Sequence, residues 1–473
     1  MSREHDGAVT RLPFAAALLA AGSVVAPGAD AAVTISARPT AHMSCGNGLC
    51  MPTAKNAVLD VSDLESMLAG GNVKVATAGS GVSALDIRVR AALGWQSGSG
   101  LTLDAQMSIS VAASVTVAGA GALSLLTDDG AKGGTLAFVG GGSIGFANVG
   151  SSLSINGESF TLEDSLPALA AAIAAIPAGA YALAGPYDAK GDGTYPAAPI
   201  ATTFTGKFEG LGNTISNLSI DDEQKAGDGV GLFALVGTGG AARDIRLASA
   251  FVTGDSTTSV GALAGANLGT IGGSSATGRA GNGLPDSVGG LVGLNEGMID
   301  TSSSAISVAG AHRVGGLAGA SSGTIIQSFA TGSASGGTFA GGLVGFFDLG
   351  ATIRDSYAMG TVSNGTFGGG LIGYNEGAKT TSSYSTGAAT GGSSDGGFAG
   401  FDDNTPAYKT CYWDTTTSGT DKATGNQPNV RGITGLTTTQ LTSGLPPGLS
   451  PRIWSEDPKI NGGLPYLLAN PPQ

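Results

Sequence analysis

Apolar positions along this chain recur on a long period. In the pattern Gly-Gly-Leu-x-Gly and its small variants, Leu232, Leu263, Leu291, Leu317, Leu343, Leu371 and Phe398 hold the same place, at spacings of 31, 28, 26, 26, 28 and 27 residues. A repeat of roughly 20 to 50 residues marks a solenoid, in which each unit buries its apolar side only against its neighbours. Helical units are excluded, because every unit carries several glycines and many Ser and Thr, which weaken helices and favour turns. Short strands remain. In one unit Gly315-Gly316-Leu317-Ala318-Gly319 leads through Ser321-Ser322-Gly323 to Thr324-Ile325-Ile326 and then to Ser328-Phe329-Ala330. The glycines at 269, 297, 323, 350 and 377 recur in one turn, where the pattern predicts a positive φ. Strands joined by such corners predict an all-β fold, a parallel β-helix whose coils stack about 4.8 Å apart.

A second register supports this alignment. Phe329, Tyr357, Tyr384 and Tyr412 follow one another at 28, 27 and 28 residues and should stack as a ladder. Such a ladder is either a structural stack or an aromatic platform for sugar rings, so these four are the candidate ligand contacts. Directly before them stand Ser328, Ser356, Ser383 and Cys411, which puts the cysteine where other coils have a small polar residue. The pairs Asn295-Glu296 and Asn375-Glu376 also recur and read as solvated turns.

Outside the repeats the pattern changes. Met107, Ile109, Val111, Val115 and Val117 alternate, which predicts further, less regular coils over 101–160. Ser62 with Glu65 suggests a capping box before Leu64, Met67 and Leu68. Ser165 precedes Leu166, Leu169, Ile173 and Ile176 at helical spacing, ending near Pro177, and such an Ala-rich helix should pack on a sheet flank. Thr437 with Gln440 offers another capping box, and with Trp454 this segment should cover the last coil.

Composition narrows the class. Gly accounts for 82 of 473 residues and charged residues for 12%, too little charge for a solvated disordered chain. The net charge of −13 offers no basic surface for a phosphate backbone, so nucleic acid is not an expected partner. Arg3 and Arg11 flank a short n-region, Leu12 to Val25 is an apolar run, and Ala29-Asp30-Ala31 has the form of a cleavage site, so residues 1–31 read as an export signal. No later stretch is apolar enough for a helical span, which predicts a secreted or cell-surface protein without a transmembrane anchor. Cys45 and Cys50 sit in a Gly- and Asn-rich turn and suit a structural disulfide of an oxidising compartment. With only His42 nearby they lack the partners of a metal site, and no metal or cofactor is expected.

Catalytic chemistry has little to stand on. His42 and His312 have no Ser or Cys motif beside them, and Asp188 to Gly193 lacks the ligand count of a calcium loop. Asp128-Asp129, Asp221-Asp222 and Asp402-Asp403 fall in different coils at apparent strand ends and read as charged turns. A polysaccharide lyase or glycoside hydrolase would need such carboxylates clustered on one flank.

The repeats resemble the GLUG motif, and Phe204 to Ile220 is similar to the coil that precedes it in that family. Leu101 to Ala105, Val115 to Gly119 and Ser154 to Glu158 resemble β-rich segments of bacterial filamentous haemagglutinin-like proteins, and Asn461 to Tyr466 resembles a closing segment. The resemblance covers roughly residues 45–470. It implies an exported right-handed β-helix with a non-catalytic adhesin role, attaching to a cell-surface or matrix carbohydrate or protein. A structural surface spacer is the alternative, and the polysaccharide enzyme the second. The chain departs from the family in lacking an Asn-Pro-Asn motif after the signal, and Leu467 to Gln473 does not alternate as a membrane strand; an outer-membrane secretion partner would carry export. The expected organisation is a signal peptide over 1–31, an N-terminal capping segment over 32–100, irregular coils over 101–160, a helical insertion and linker over 161–200, the GLUG-type repeat β-helix over 201–428 and a C-terminal cap over 429–473.

Overall fold

In a computed structural model the chain is all-β, with stacked parallel strands forming a β-solenoid of about 13 turns. The structure describes residues 31–472 except 80–81, 132, 223–228, 364 and 404. The export signal read over 1–31 thus lies, apart from Ala31, outside the described residues. Parallel pairing already runs through 32–100, where a cap was expected: Ala32–Ser36 pairs in parallel with both Ala57–Asp60 and Asp86–Val89. The helix α1 (Val61–Gly70) is capped by Asp60, whose carboxylate accepts from the Ser62 N–H, and not by the expected Ser62. Glu65, expected to close the capping box, instead accepts the backbone N–H of Gly94.

The solenoid has two sections, joined where the chain reverses. The strands Ser152–Ile155 and Glu158–Glu163 form an antiparallel hairpin, with Leu153 opposite Phe160. Glu158–Glu163 then pairs in parallel with Ala180–Leu183, and that strand with Lys207–Glu209. Alternation along Ala180–Leu183 serves two interiors. Ala182 joins the apolar cluster of the first section beside Leu162, and Tyr181 and Leu183 join that of the second beside Phe208. One strand is therefore a wall common to both cores, so the core passes from one side of a continuous sheet to the other. Between these strands lies α2 (Leu166–Ala175), whose Leu166, Leu169 and Ile173 are buried in the second core. Its buried face packs against the strands Glu158–Glu163 and Ala180–Leu183, and Tyr181 ties it down by donating its hydroxyl to the Ala172 carbonyl at 2.8 Å.

Each regular coil of the second section has four faces. In one coil these are face 1, Arg313–Gly315; face 2, Ala318–Ser321; face 3, Thr324–Ile326; and face 4, Phe329–Ala330 continued by Ala334–Gly336. The repeat leucines, with Phe398, sit fully buried between faces 1 and 2, and Ile271, Ile299, Ile325 and Ile353 pair in one column inside face 3. Burying each such side chain contributes about 1.5–3 kcal/mol.

The corners hold polar ladders. Between faces 3 and 4, Asp244, Thr301, Gln327, Asp355, Ser382 and Thr410 have φ of 44° to 58°, and each turns the chain in the left-handed region. The residue after this corner is Ser in five consecutive coils, from Ser274 to Ser383: the backbone N–H of Ser274 donates to Ser302 Oγ at 3.2 Å, that of Ser302 to Ser328 Oγ at 3.1 Å, that of Ser328 to Ser356 Oγ at 3.2 Å, and that of Ser356 to Ser383 Oγ at 3.1 Å. Cys411 ends this column, and burial pushes its thiol up to about 12, which makes it an inert core group. At the end of face 2, Asn267 donates to Asn295 Oδ1 at 2.8 Å and Asn295 to Ser321 Oγ at 3.0 Å. Asn295 and Asn375 are therefore interior residues and not parts of solvated turns, because their amides are satisfied inside the solenoid, Asn295 by Asn267 and Ser321, and Asn375 by the Tyr408 hydroxyl and the Ala378 N–H.

The recurrent glycines divide into two kinds. Gly350 and Gly377 adopt the expected positive φ, at 87° and 97°. Gly269, Gly297 and Gly323 do not: a Cβ there would lie 2.2, 2.2 and 2.0 Å from a carbonyl oxygen of the neighbouring coil, so close backbone approach is what demands glycine.

Candidate functional site

The aromatic ladder singled out from the repeat exists, but not as an open surface. Phe329 and Tyr357 stack with centroids 4.7 Å apart, and Tyr357 and Tyr384 at 5.0 Å, on the outer side of face 4. Tyr357 and Tyr384 are fully buried, and Phe329 and Tyr412 nearly so, because the C-terminal segment folds over them. Trp454 lies with its ring 5.7 Å from Tyr384 and 6.0 Å from Tyr357, and Leu441, Leu449, Leu464 and Leu467 complete the cluster. Tyr384 donates to the Pro465 carbonyl at 2.6 Å, and Tyr412 to that of Pro447. Farther along, Asn470 donates to the carbonyls of Ser302 and Gln327. These four rings are corrected from ligand contacts to core. The same contacts correct the placement of Trp454: the tail after α3 (Thr438–Leu441, with the Thr437–Gln440 capping box in place) runs back along the flank instead of covering the last coil. That coil is continued by Ile433–Leu436, paired in parallel with Cys411–Asp414.

A different aromatic field faces outward. On face 2 the register pairs Phe346 with Tyr374 and Tyr374 with Phe401, and their rings stack at 5.4 and 5.6 Å with 6° and 8° between planes. On face 1 Phe339 pairs with Phe367, and these rings stack at 5.8 Å. The two columns meet around the corner: Phe339 lies 4.9 Å from Tyr374, and Phe367 lies 5.1 Å from Phe401, edge to face. All five rings are partly exposed. Glycine makes the junction of the two faces possible, since a Cβ on Gly345 would stand 2.5 Å from the Val314 nitrogen. The sequence carried this signal in the 28- and 27-residue spacing of Phe346, Tyr374 and Phe401. Spacing alone does not distinguish a covered ladder from an open one.

Charged groups border the field. Arg313 sits 5.9 Å above the Phe346 ring centre and pairs with Asp286 at 3.5 Å. Asp348, Glu376 and Asp403 each follow one of the face 2 rings by two residues. Tyr374 donates its hydroxyl to Asp403 Oδ2 at 2.8 Å. Glu376 is held above the usual carboxylate range by burial first, then by a hydrogen bond and charge from Asp348 and by the charge of Asp403.

A second acidic group lies at the junction of the two sections. Glu209 and Asp244 share a hydrogen bond, and Arg246 reaches the carbonyls of Gly212 and Gly142 beside them. Burial raises both acids, Glu209 well above its ordinary range and Asp244 to about 7, with Arg243 opposing. The other carboxylates noted in the sequence are spread out. Asp128 binds the Gly133 N–H, Asp221 accepts from Thr253 at 2.5 Å, and Asp402 is buried under the Tyr408 hydroxyl. Asp192, in the segment weighed as a calcium loop, accepts from Tyr187 and Tyr195, each at 2.6 Å. His312 lies 3.3 Å from Thr338 Oγ1. Cys45 and Cys50 face each other in the hairpin Met43–Gly46 and Leu49–Pro52 and are joined by a disulfide. Among the described residues no cluster of three His, Cys, Asp or Glu side chains is arranged to hold a metal ion, and no helix is long and apolar enough to cross a membrane.

No family model matches the chain. Over 105 residues, 22% of this chain, it is 40% identical to halomucin of Haloquadratum walsbyi, and the match spans 1% of that protein's length. A crystal structure from Bacteroides ovatus, described as a "putative immunoglobulin A1 protease", superposes with a TM-score of 0.39 at 18% identity, covering 61% of this chain and 85% of that one.

Proposed function

We propose that this chain is an adhesin-like binding protein, secreted or displayed at a cell surface, which attaches to a surface or matrix ligand through the flank of its solenoid and catalyses no reaction. The observation that carries the reading is the partly exposed field of Phe339, Phe346, Phe367, Tyr374 and Phe401. Contiguous exposed aromatics mark interaction surfaces, since a monomer gains nothing by leaving them in water. The resemblance of the repeats to the GLUG motif belongs to the same reading. Acid chemistry supports binding over sugar cleavage: Glu209 with Asp244, and Glu376 with Asp348, are hydrogen-bonded directly. A glycosidase instead keeps its two carboxyls about 5 Å or more apart, with the scissile bond between them.

The test is saturable retention of residues 32–473 on cells, matrix proteins and immobilised polysaccharides. Retention that survives about 0.5 M salt, where exposed charge pairs are screened, supports the reading. Absence of retention on every surface overturns it in favour of a structural spacer.

A further inference from the structure

The outer aromatic field also constrains what it can bind. We infer that its ligand is a polypeptide segment in which aliphatic side chains are interspersed with Lys or Arg; this rests on the adhesin reading above and specifies its ligand.

Two features lead there. The first is the state of the rings. In the column Phe346, Tyr374 and Phe401 each ring turns its face to the next at 5.4 and 5.6 Å, nearly parallel, and Phe339 and Phe367 do the same at 5.8 Å. Stacking consumes the ring faces, and those are the surfaces that a sugar ring or a nucleobase would need. What stays open is a ridge of ring edges, an apolar surface on which branched aliphatic side chains can lie. Leu349, 66% exposed and one residue beyond Asp348, extends the apolar surface.

The second feature is charge. Asp348, Glu376 and Asp403 form a row along one border of the ridge, one carboxyl per coil. The nearby cation Arg313 is already paired with Asp286. An acidic polysaccharide or an anionic membrane would meet this row, and a chain of net charge −13, with repulsion. A basic side chain entering beside an apolar neighbour would gain both contacts, which is the charge complementarity that selects partners at protein interfaces.

The test uses the full chain and three probes: a peptide alternating Leu and Lys, its counterpart alternating Leu and Glu, and a neutral cello-oligosaccharide, with binding measured by calorimetry at about 0.15 M salt. The Leu-Lys peptide should saturate at micromolar concentration, and the other two should bind at least about tenfold more weakly. The triple variant Asp348→Asn, Glu376→Gln, Asp403→Asn leaves every ring in place and should weaken the peptide by about tenfold or more, as should Phe346→Ser. Equal binding by the triple variant overturns the proposal. So does oligosaccharide binding that Phe346→Ser abolishes in the absence of peptide binding. The two readings fail separately. Cell retention that the variants leave intact removes this surface and keeps the adhesin, whereas peptide binding without retention on any surface keeps the surface and removes the adhesin.

Discussion

Tyr384 donates its hydroxyl to the carbonyl oxygen of Pro465 at 2.6 Å, a contact between residues 81 apart in sequence. It fixes the C-terminal tail over the face 4 ladder, and it decides which of two aromatic ladders in this protein is core and which is surface. Trp454 completes the closure by lying against Tyr357 and Tyr384 with its Nε1–H on Asp355 at 3.4 Å.

Trp454→Ala should therefore destabilise the tail and the ladder beneath it by roughly 3–5 kcal/mol, the usual cost of removing a buried indole. Denaturant unfolding should show an early transition, with binding of a hydrophobic dye before the coils melt. A single transition unchanged from that of the parent chain would mean that the tail contributes little to the fold.

The buried amide column gives a contrast within one turn. Asn295→Ala breaks the bonds from Asn267 and to Ser321 inside the solenoid and should cost about 1–3 kcal/mol. Glu296→Gln, next to it and outside the core, should stay within about 0.5 kcal/mol. Chemical denaturation of the two variants side by side measures the difference, and equal effects would contradict the amide ladder.

Gly323 and Gly350 occupy the same repeat position for different reasons, and this too is measurable. Alanine at 323 would put its Cβ 2.0 Å from the Gly297 oxygen, and coils would have to separate, at a cost of about 1–3 kcal/mol or more. Alanine at 350 meets open space and has only its φ of 87° to contend with. Gly323→Ala should lower the unfolding midpoint more than Gly350→Ala; the reverse order would contradict the close coil contact.

The Glu209–Asp244 pair predicts a pH dependence with a definite sign. Both carboxyls are raised in the folded chain, Asp244 to about 7, so the folded state holds protons that the unfolded state, with carboxyls near about 4, has already released. Stability from this pair is present below about pH 4 and is lost as pH rises through about 7, because unfolding releases protons over that window. Asp402, raised by burial to about 6, adds a contribution of the same sign. The thermal midpoint should fall between about pH 5 and about pH 8, and Asp244→Asn should flatten that fall. An Asp244→Asn profile parallel to that of the parent chain would mean that the junction acids do not titrate in this range.

Much of the architecture is written in local pattern. The 26- to 31-residue spacing of Leu232 through Phe398, together with the density of Gly, Ser and Thr, determines stacked short strands. A solenoid buries each unit against its sequence neighbour, so its core is a local property. The Ser column ending at Cys411 and the capping box at Thr437 and Gln440 are likewise readable, because each side chain bonds within its own turn or the next one.

What the pattern could not decide is everything that depends on which surface meets which over long distances. Phe329, Tyr357, Tyr384 and Tyr412 share the period of Phe346, Tyr374 and Phe401, yet the C-terminal tail, with Leu441, Leu449, Trp454, Leu464 and Leu467, buries the first set and leaves the second partly in water. The reversal at Leu153 and Phe160 is equally hidden. Alternation along Ala180–Leu183 looks like that of any strand, and only the packing of two sections on opposite sides of it makes both faces core. Period sets the direction in which each side chain points, and tertiary contact alone sets what it finds there.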